Sequence, residues 1–339
     1  MTRGDVKQGF FLSILLLTGM AGRAAAHDDK VHLPPASGRQ VIWENPGRVS
    51  SRDLEFGPGG RAGVPAAPFT FLQEDSSGTT PKVNVRDAQG RTWNVKWGEE
   101  VHSEIFASRL AWSVGYIVES EYYVPQGLIL GVDHHSLKRA AKEIDRNGVF
   151  HSARFQLRSQ PDKFSKEYDW TWKDNPFVGT AELNGLRIMM LLTSNWDNKD
   201  ARDIGGADTN TAIFVRNLGR TVEYRYFVQD WGATMGRWGG AIKRSKWDCI
   251  GYDEESKHFI KGVKDGLVEW GYSGKHTGSA KDDIPVQHVW WLMRYLGQLT
   301  DRQLLAALRA SGATEGEERC YLQAVRARID VLASFVPRR

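Results

Sequence analysis

Acidic residues stand at two points in the second half of the chain where a metal ion or a phosphate group could bind. The polar run NWDNKDARD follows a long apolar segment and contains Asp197, Asp200 and Asp203. Asp230 ends the apolar run YFVQ and precedes Trp-Gly. Carboxylate and amide oxygens are hard donors that suit Mg²⁺ or Mn²⁺. We expect Asp230 to bind metal together with Asp203 or Asp200, although a solvated polar loop is the alternative for the first run.

A lysine and a glutamate near the middle of the first half form a second candidate pair. Lys96 lies on a predicted strand (WNVKWG), and Glu104 lies on the helix predicted to follow it. The spacing of Glu104, Ala107 and Ala111 puts them on one helical face, so the carboxylate is expected to turn toward the strand. Glu100, one turn earlier, is the rival partner, and an exposed strand lysine is the simpler interpretation of Lys96.

The order of these residues matches the needs of phosphoryl transfer. That reaction requires a cation on the nucleotide phosphates, a carboxylate on the metal and a second carboxylate that orients the acceptor hydroxyl. Lys96, Glu104, the acidic run at 195–203 and Asp230 supply these residue types in this order.

The elements that must position these residues follow from the periodicity. Alternating apolar and polar residues predict three strands, then a helix, then two more strands separated by a charged helical insert. These fall at 69–72, 82–87, 91–97, 107–114, 122–124 and 149–157, with the insert at 134–148. The second half is predicted to be mostly helical, apart from a hairpin formed by TAIFVRN and TVEYRYFV. A β-rich part followed by a helical part indicates an α+β arrangement with a cleft between the two.

Composition and the N-terminal residues limit the class of protein to which the chain can belong. The 339 residues are 41% hydrophobic and 25% charged, and the net charge of +4 is too small to argue for nucleic-acid binding. A weakly basic start, a short apolar run and Ala24-Ala25-Ala26 predict a cleavable signal peptide at 1–26 and therefore an exported, periplasmic or secreted, protein. No later segment has transmembrane length. Cys249 and Cys320 form either one disulfide or two buried thiols.

Three stretches carry a resemblance to a known group of proteins: VKWGEEVHSEIFASRLAWSVGY, NPFVGTAELNGLRIMMLLTSNWDNKD and VQDWGATMG. Over residues 68 to 335 the chain resembles the atypical branch of the protein-kinase-like superfamily, near the phosphoinositide kinases and HipA-type kinases, within a bacterial family of exported proteins. The resemblance implies a two-lobed fold, with a small antiparallel β-rich N-lobe at 67–159 and a mostly helical C-lobe at 160–339, behind a Gly/Pro-rich arm or linker at 27–66. It also implies ATP and a divalent metal as cofactors, with an unknown protein, lipid or small molecule as the acceptor. The roles it implies are Lys96 on the phosphates, Glu104 as the ion-pair partner of that lysine, Asp197 as the catalytic-loop carboxylate and Asp230 on the metal.

The chain departs from that pattern at two places. A glycine-rich loop is replaced by DSSGTTPK, where Ser77, Gly78 and Thr79 are expected to cover the phosphates. The metal-binding Asn expected five residues after Asp197 is Arg202. A pseudokinase that acts as a nucleotide-binding or scaffolding module, or an enzyme that transfers AMP, therefore remains open. A metal-dependent hydrolase using His134 and His135 is the third alternative, although adjacent side chains diverge.

Overall fold

The computed structural model describes Met1 and residues 31–78, 80–158, 162–200, 209–239, 243–272 and 280–337. Apart from Met1, the predicted signal peptide lies outside these residues, as do Thr79, Arg202 and Asp203, so the predictions made for them stay predictions. Among the helices that are described, none is both long and apolar enough to cross a membrane.

The first half of the chain builds a closed five-stranded β-barrel. A short strand, β1 (Arg39–Val41), precedes it, and the barrel strands are β2 (Phe69–Glu74), β3 (Lys82–Arg86), β4 (Thr92–Lys96), β5 (Glu121–Leu130) and β6 (Val149–Leu157). Their order is β2-β3-β4-β6-β5, and β2 closes the barrel by pairing in parallel with β5. Alternate residues point inward, so Trp93, Val95 and Phe155 fill the interior with no more than a trace of exposure.

One helix, α1 (Glu100–Ser113), connects β4 to β5 and packs on the outside of the barrel. The predicted apolar face is confirmed, because Ala107, Leu110 and Ala111 are buried. Most of the other α1 residues are buried as well, since the helix lies between the barrel and helical elements of the second half. The helix ends as expected before Gly115, which has a φ of 106°.

The second half combines a four-stranded sheet with helices. It contains β7 (Lys163–Phe164), α2 (Ala181–Leu192), β8 (Thr211–Asn217) and β9 (Val222–Val228), and β8 and β9 form the predicted hairpin. The sheet order is β1-β9-β8-β7, so a strand from the N-terminal segment completes it. The segment 27–66 also contributes Ile42, Val49 and Leu54 to the large core of this half.

The remaining elements are a short helix, a hairpin and three C-terminal helices. They are α3 (Cys249–Ser256), β10 (Ile260–Lys264), β11 (Leu267–Trp270), α4 (Val286–Leu296), α5 (Asp301–Ala310) and α6 (Glu315–Ser334). Thr300 and Thr314 start α5 and α6 with reciprocal capping hydrogen bonds. Cys249 and Cys320 form a disulfide between α3 and α6, which decides between the two alternatives left by the sequence.

The predicted two-lobed kinase-like fold is wrong. The structure is mixed α/β: strands β2 to β6 close into a barrel, whereas a small antiparallel sheet was expected. The second half is not mostly helical, because the four-stranded sheet and the β10–β11 hairpin stand beside its helices. The parallel β2–β5 pairing and the recruitment of β1 depend on long-range contacts that local periodicity does not encode.

The predicted helical insert at 134–148 is also wrong, since only a single 3₁₀ turn forms at Ala140–Lys142. The Glu74 side chain accepts hydrogen bonds from the backbone N–H groups of residues 138, 139 and 140. Asp145 accepts two more, from residues 147 and 149. These carboxylates satisfy the backbone donors that a helix would otherwise pair internally.

Candidate functional site

A polar cavity of about 480 Å³ lies between the barrel and the second half of the chain. Most of the candidate site residues line it, although they come from distant parts of the sequence. Its volume lies within the range of small-molecule and cofactor sites. Its lining includes Ser77, Gly78, Lys82, Lys96, Glu100, Glu104, Glu119, Arg154, Gln156, Arg158, Asp197, Lys199, Asn210, Asp230 and Lys246.

Three cations stand side by side on the barrel wall of this cavity. Lys82 on β3 pairs in register with Lys96 on β4, and Lys96 pairs in turn with Arg154 on β6. All three side chains belong to the cavity lining. Like charges directly opposite one another destabilise a sheet unless carboxylates or a bound anion compensate them. Carboxylates or a bound anion must therefore compensate the positive charge of these three side chains at this wall.

Lys96 meets both of its candidate partners. Its Nζ lies 2.5 Å from Glu100 Oε2 and 3.3 Å from Glu104 Oε2, so the rival carboxylate is the nearer one. Glu100 also accepts a hydrogen bond from Lys246. Burial lowers the pKa of Lys96, but the carboxylates of Glu104 and Asp230 raise it overall, above its usual value. Lys96 is therefore held as a cation at the cavity wall.

Behind Lys96, a network of buried charges fixes the inner wall. Arg154 donates from Nη1 to Glu104 and to Glu121, the latter at 2.9 Å. Gln156 donates to Glu119 at 2.5 Å. Burial raises the pKa of Glu119 to about 7, against the opposing attraction of the neighbouring arginines. Glu104 thus divides its two oxygens between Lys96 and Arg154, which locks the lysine relative to the barrel.

Asp197 and Asp230 line the opposite wall and are held by one asparagine. The fully buried Asn195 accepts a hydrogen bond from the backbone N–H of Asp197 and donates one to the carbonyl oxygen of Asp230, both at 3.2 Å. Asp230 Oδ1 also accepts from the backbone of Gly232 at 2.8 Å. A Cβ on Gly232 would lie 2.9 Å from the Glu100 side chain, so this close approach requires glycine. Asp197 Oδ1 lies 3.3 Å from Lys199 Nζ.

Of the other two predicted metal ligands, the structure describes only Asp200. Asp200 is fully buried, does not line the cavity, and accepts a hydrogen bond from the backbone of Trp172 at 2.9 Å. Asp203 lies outside the described residues. Within the described ranges, no group of three or more His, Cys, Asp or Glu side chains is arranged to hold a metal ion.

Two carboxylates still suit one class of metal site. Mg²⁺ commonly binds through one or two protein carboxylates, with water and substrate phosphates completing its octahedron. Asp197 and Asp230 supply two carboxylates at the same cavity wall, and each keeps an oxygen for which the described contacts show no hydrogen bond. The donor set is therefore compatible with a metal that arrives with a phosphorylated ligand, and less suited to a resident ion held by protein alone.

The loop between β2 and β3 covers one end of the cavity. Ser77 and Gly78 contribute to the lining, and Gly78 has a φ of 60°. Arg139 fixes the loop by donating hydrogen bonds to the carbonyl oxygens of Ser76 and Gly78. Asp75 accepts from both the hydroxyl and the backbone N–H of Ser77. These contacts hold Ser77 and Gly78 at the cavity edge.

Several lining residues were missed from the sequence. Arg154 and Gln156 alternate along β6 and Arg158 follows directly after its end, so this polar face of period two was a readable signal. Lys246, which reaches Glu100, gave no comparable signal, because loop geometry decides its position. The two histidines of the hydrolase alternative, His134 and His135, do not line the cavity.

Comparisons with known proteins identify no relative. The chain matches no family model, no curated protein and no solved structure.

Proposed function

We propose that the cavity binds a nucleoside triphosphate, with ATP as the expected donor and Mg²⁺ or Mn²⁺ as the metal, and transfers its terminal phosphoryl group to an acceptor hydroxyl. The observation that carries the proposal is the placement of three cations in register, Lys82, Lys96 and Arg154, facing Asp197 and Asp230 across one cavity. Cations on one wall suit phosphate oxygens, and on the other wall Asp230 suits the metal that accompanies them while Asp197 is left to face the acceptor.

Each side chain then has a defined task. Lys96, held by Glu100 and Glu104, binds the phosphate oxygens and favours negative charge that develops on them. Asp197 accepts the proton of the acceptor hydroxyl while a bond forms from that oxygen to the terminal phosphorus. The bond from this phosphorus to the bridging oxygen breaks, and the nucleoside diphosphate leaves. A metal held by Asp230 would neutralise phosphate charge.

The first experiment separates binding from transfer. Affinity for ATP and for ADP, each with Mg²⁺ or Mn²⁺, is measured by calorimetry on the full chain, and transfer is followed with label on the γ phosphate. We expect Asp230→Asn to weaken binding of the metal–nucleotide complex at least tenfold. We expect Asp197→Asn to keep binding and to lose transfer at least a hundredfold. Asp265→Asn, on an exposed turn, is the matched control.

A nucleotide-binding module without catalysis is the second candidate. It is favoured by Lys199, which already occupies one oxygen of Asp197 and competes with an acceptor hydroxyl for it. Tight nucleotide binding without transfer in the wild type would select this candidate. Label incorporated from the α phosphate would instead indicate AMP transfer, and a wild type that binds neither nucleotide would overturn the whole proposal.

A further inference from the structure

A second cavity, of about 450 Å³, lies on the far side of α1, between β5, α5 and the segment that precedes β2. Six of its nine lining residues are apolar or aromatic, and two arginines and one glutamate supply its charges. It shares no lining residue with the cavity described above. The lining residues are Glu55, Phe56, Val64, Arg109, Tyr122, Tyr123, Ala306, Arg309 and Ala310.

Arg109 is the unusual member of this set. Its side chain projects from α1 and the residue is only 2% exposed. The described residues give its guanidinium two acceptors, the carbonyl oxygens of Leu54 at 3.4 Å and Glu121 at 3.1 Å, and no carboxylate partner. Its buried Nε has no hydrogen-bond partner among them. Arginine is rarely buried without a countercharge, because its desolvation must be compensated.

The other charges of the cavity do not supply that countercharge. Arg309 lies at the rim, where its Nε donates to Glu318 at 2.9 Å. Glu121, Asp53 and the exposed Glu55 attract Arg109 without forming an ion pair with it, and the Glu121 carboxylate is already bound by Arg154. One buried positive charge therefore remains at a cavity whose other walls are the rings of Phe56 and Tyr122 and the small side chains of α5.

We propose that this cavity binds a small organic monoanion: a carboxylate that pairs with Arg109, joined to an apolar or aromatic body that fills the space between the tyrosines and α5. The planar guanidinium matches the planar carboxylate. The carboxylate of Glu55 at the rim disfavours ligands with a second negative charge. The small side chains of Ala306 and Ala310 leave room for a ring. This site is independent of the function proposed for the larger cavity.

The test uses two probes of nearly the same shape and different charge. Dissociation constants of 4-fluorobenzoate and neutral 4-fluorobenzamide are measured by ¹⁹F NMR on the full chain. We expect the benzoate to bind at least tenfold more tightly. Arg109→Met should lower the affinity for the benzoate to that for the benzamide. Glu55→Gln should increase the affinity for the benzoate several-fold, because a carboxylate that competes with the ligand for Arg109 is removed.

A variant that fills the cavity keeps the proposal falsifiable if Arg109→Met does not fold. Ala310 is partly exposed on α5, and Ala310→Phe should abolish binding of both probes while Arg109 stays in place. Ala333→Phe, at an exposed position of α6, is the control and should bind like the wild type. Equal affinities for the two probes in the wild type, or unchanged benzoate binding in Ala310→Phe, would overturn the proposal.

Discussion

Lys96 Nζ lies 3.3 Å from Glu104 Oε2, across the junction between the third barrel strand and the helix that follows it. Both residues are almost completely buried, at 8% and 2% exposure. A buried pair of this kind contributes little net stability, because desolvation offsets most of the attraction. Its value lies in orientation, since Glu104 is also bound by Arg154 and so fixes where the ammonium group points.

Replacing Lys96 with methionine should remove a phosphate contact without unfolding the protein. Glu104 keeps Arg154, and Glu100 keeps Lys246, so neither carboxylate loses its last partner. We expect nucleotide affinity to fall at least tenfold, which corresponds to about 1.4 kcal/mol. Calorimetric titration with ADP and Mg²⁺ measures this, with Lys264→Met on the exposed hairpin as the control. An unchanged affinity would remove Lys96 from the binding site.

Arg154→Met should be far more damaging to stability than the lysine variant. It leaves Glu104, Glu121 and Glu119 buried together after their shared cation is lost. Breaking a buried pair costs about 3–5 kcal/mol. Arg158→Met is the comparison, because that side chain is 43% exposed and should cost less than about 1 kcal/mol. Urea unfolding measures both, and equal losses would show that the network does not depend on Arg154.

Glu119 should make the stability of the fold depend on pH. Burial raises its pKa to about 7 in the folded protein, from 4.5 in the unfolded chain. Between these values the folded state holds a proton that the unfolded state has released. The contribution of Glu119 to the free energy of unfolding is therefore complete below pH 4.5. It is lost as the pH rises through 7, and this loss amounts to up to about 3 kcal/mol.

The measurement compares urea unfolding at pH 5 and pH 8 in the wild type and in Glu119→Gln. Glutamine does not titrate, so the variant should lose less stability over this interval than the wild type does. If the two proteins lose the same free energy, Glu119 does not titrate in this range.

The disulfide between Cys249 and Cys320 should contribute measurably to stability. These are the only two cysteines in the chain, and they are separated by 71 residues. Cross-linking a loop of this length stabilises the folded state by about 4 kcal/mol in the chain-entropy description. Reductant should therefore lower the urea midpoint of the wild type. The double variant Cys249→Ser, Cys320→Ser should start lower and should not respond to reductant.

Local patterns in the sequence predicted the elements well where one face of an element is buried. The alternation around Val83 and Val95 and the apolar spacing from Ala107 to Leu110 both correspond to observed elements. Closure of the barrel could not be predicted from the sequence. It depends on the parallel pairing of Phe69 with Ile129, and the local patterns around these residues do not specify each other as partners.

The candidate site shows the same division between local and long-range information. The spacing on α1 and the end of β9 correctly brought Lys96, Glu104 and Asp230 to one cavity. Asp200 was predicted to be a metal ligand from the chemistry of its side chain alone. In the structure its carboxylate accepts a hydrogen bond from the backbone N–H of Trp172. A string of acidic residues does not reveal which of them faces the cavity, because each additional residue in an irregular loop changes the direction of the side chain.

Strand β1 has a consequence for the order in which the protein is assembled. Residues 39–41 pair in parallel with residues 223–225, and no other strand pairs with β1 among those described. During synthesis, β1 leaves the ribosome long before its partner has been translated. The barrel can form first, while the N-terminal segment must wait beside it with an unsatisfied backbone edge. A nascent chain arrested before residue 223 therefore exposes this edge to other chains.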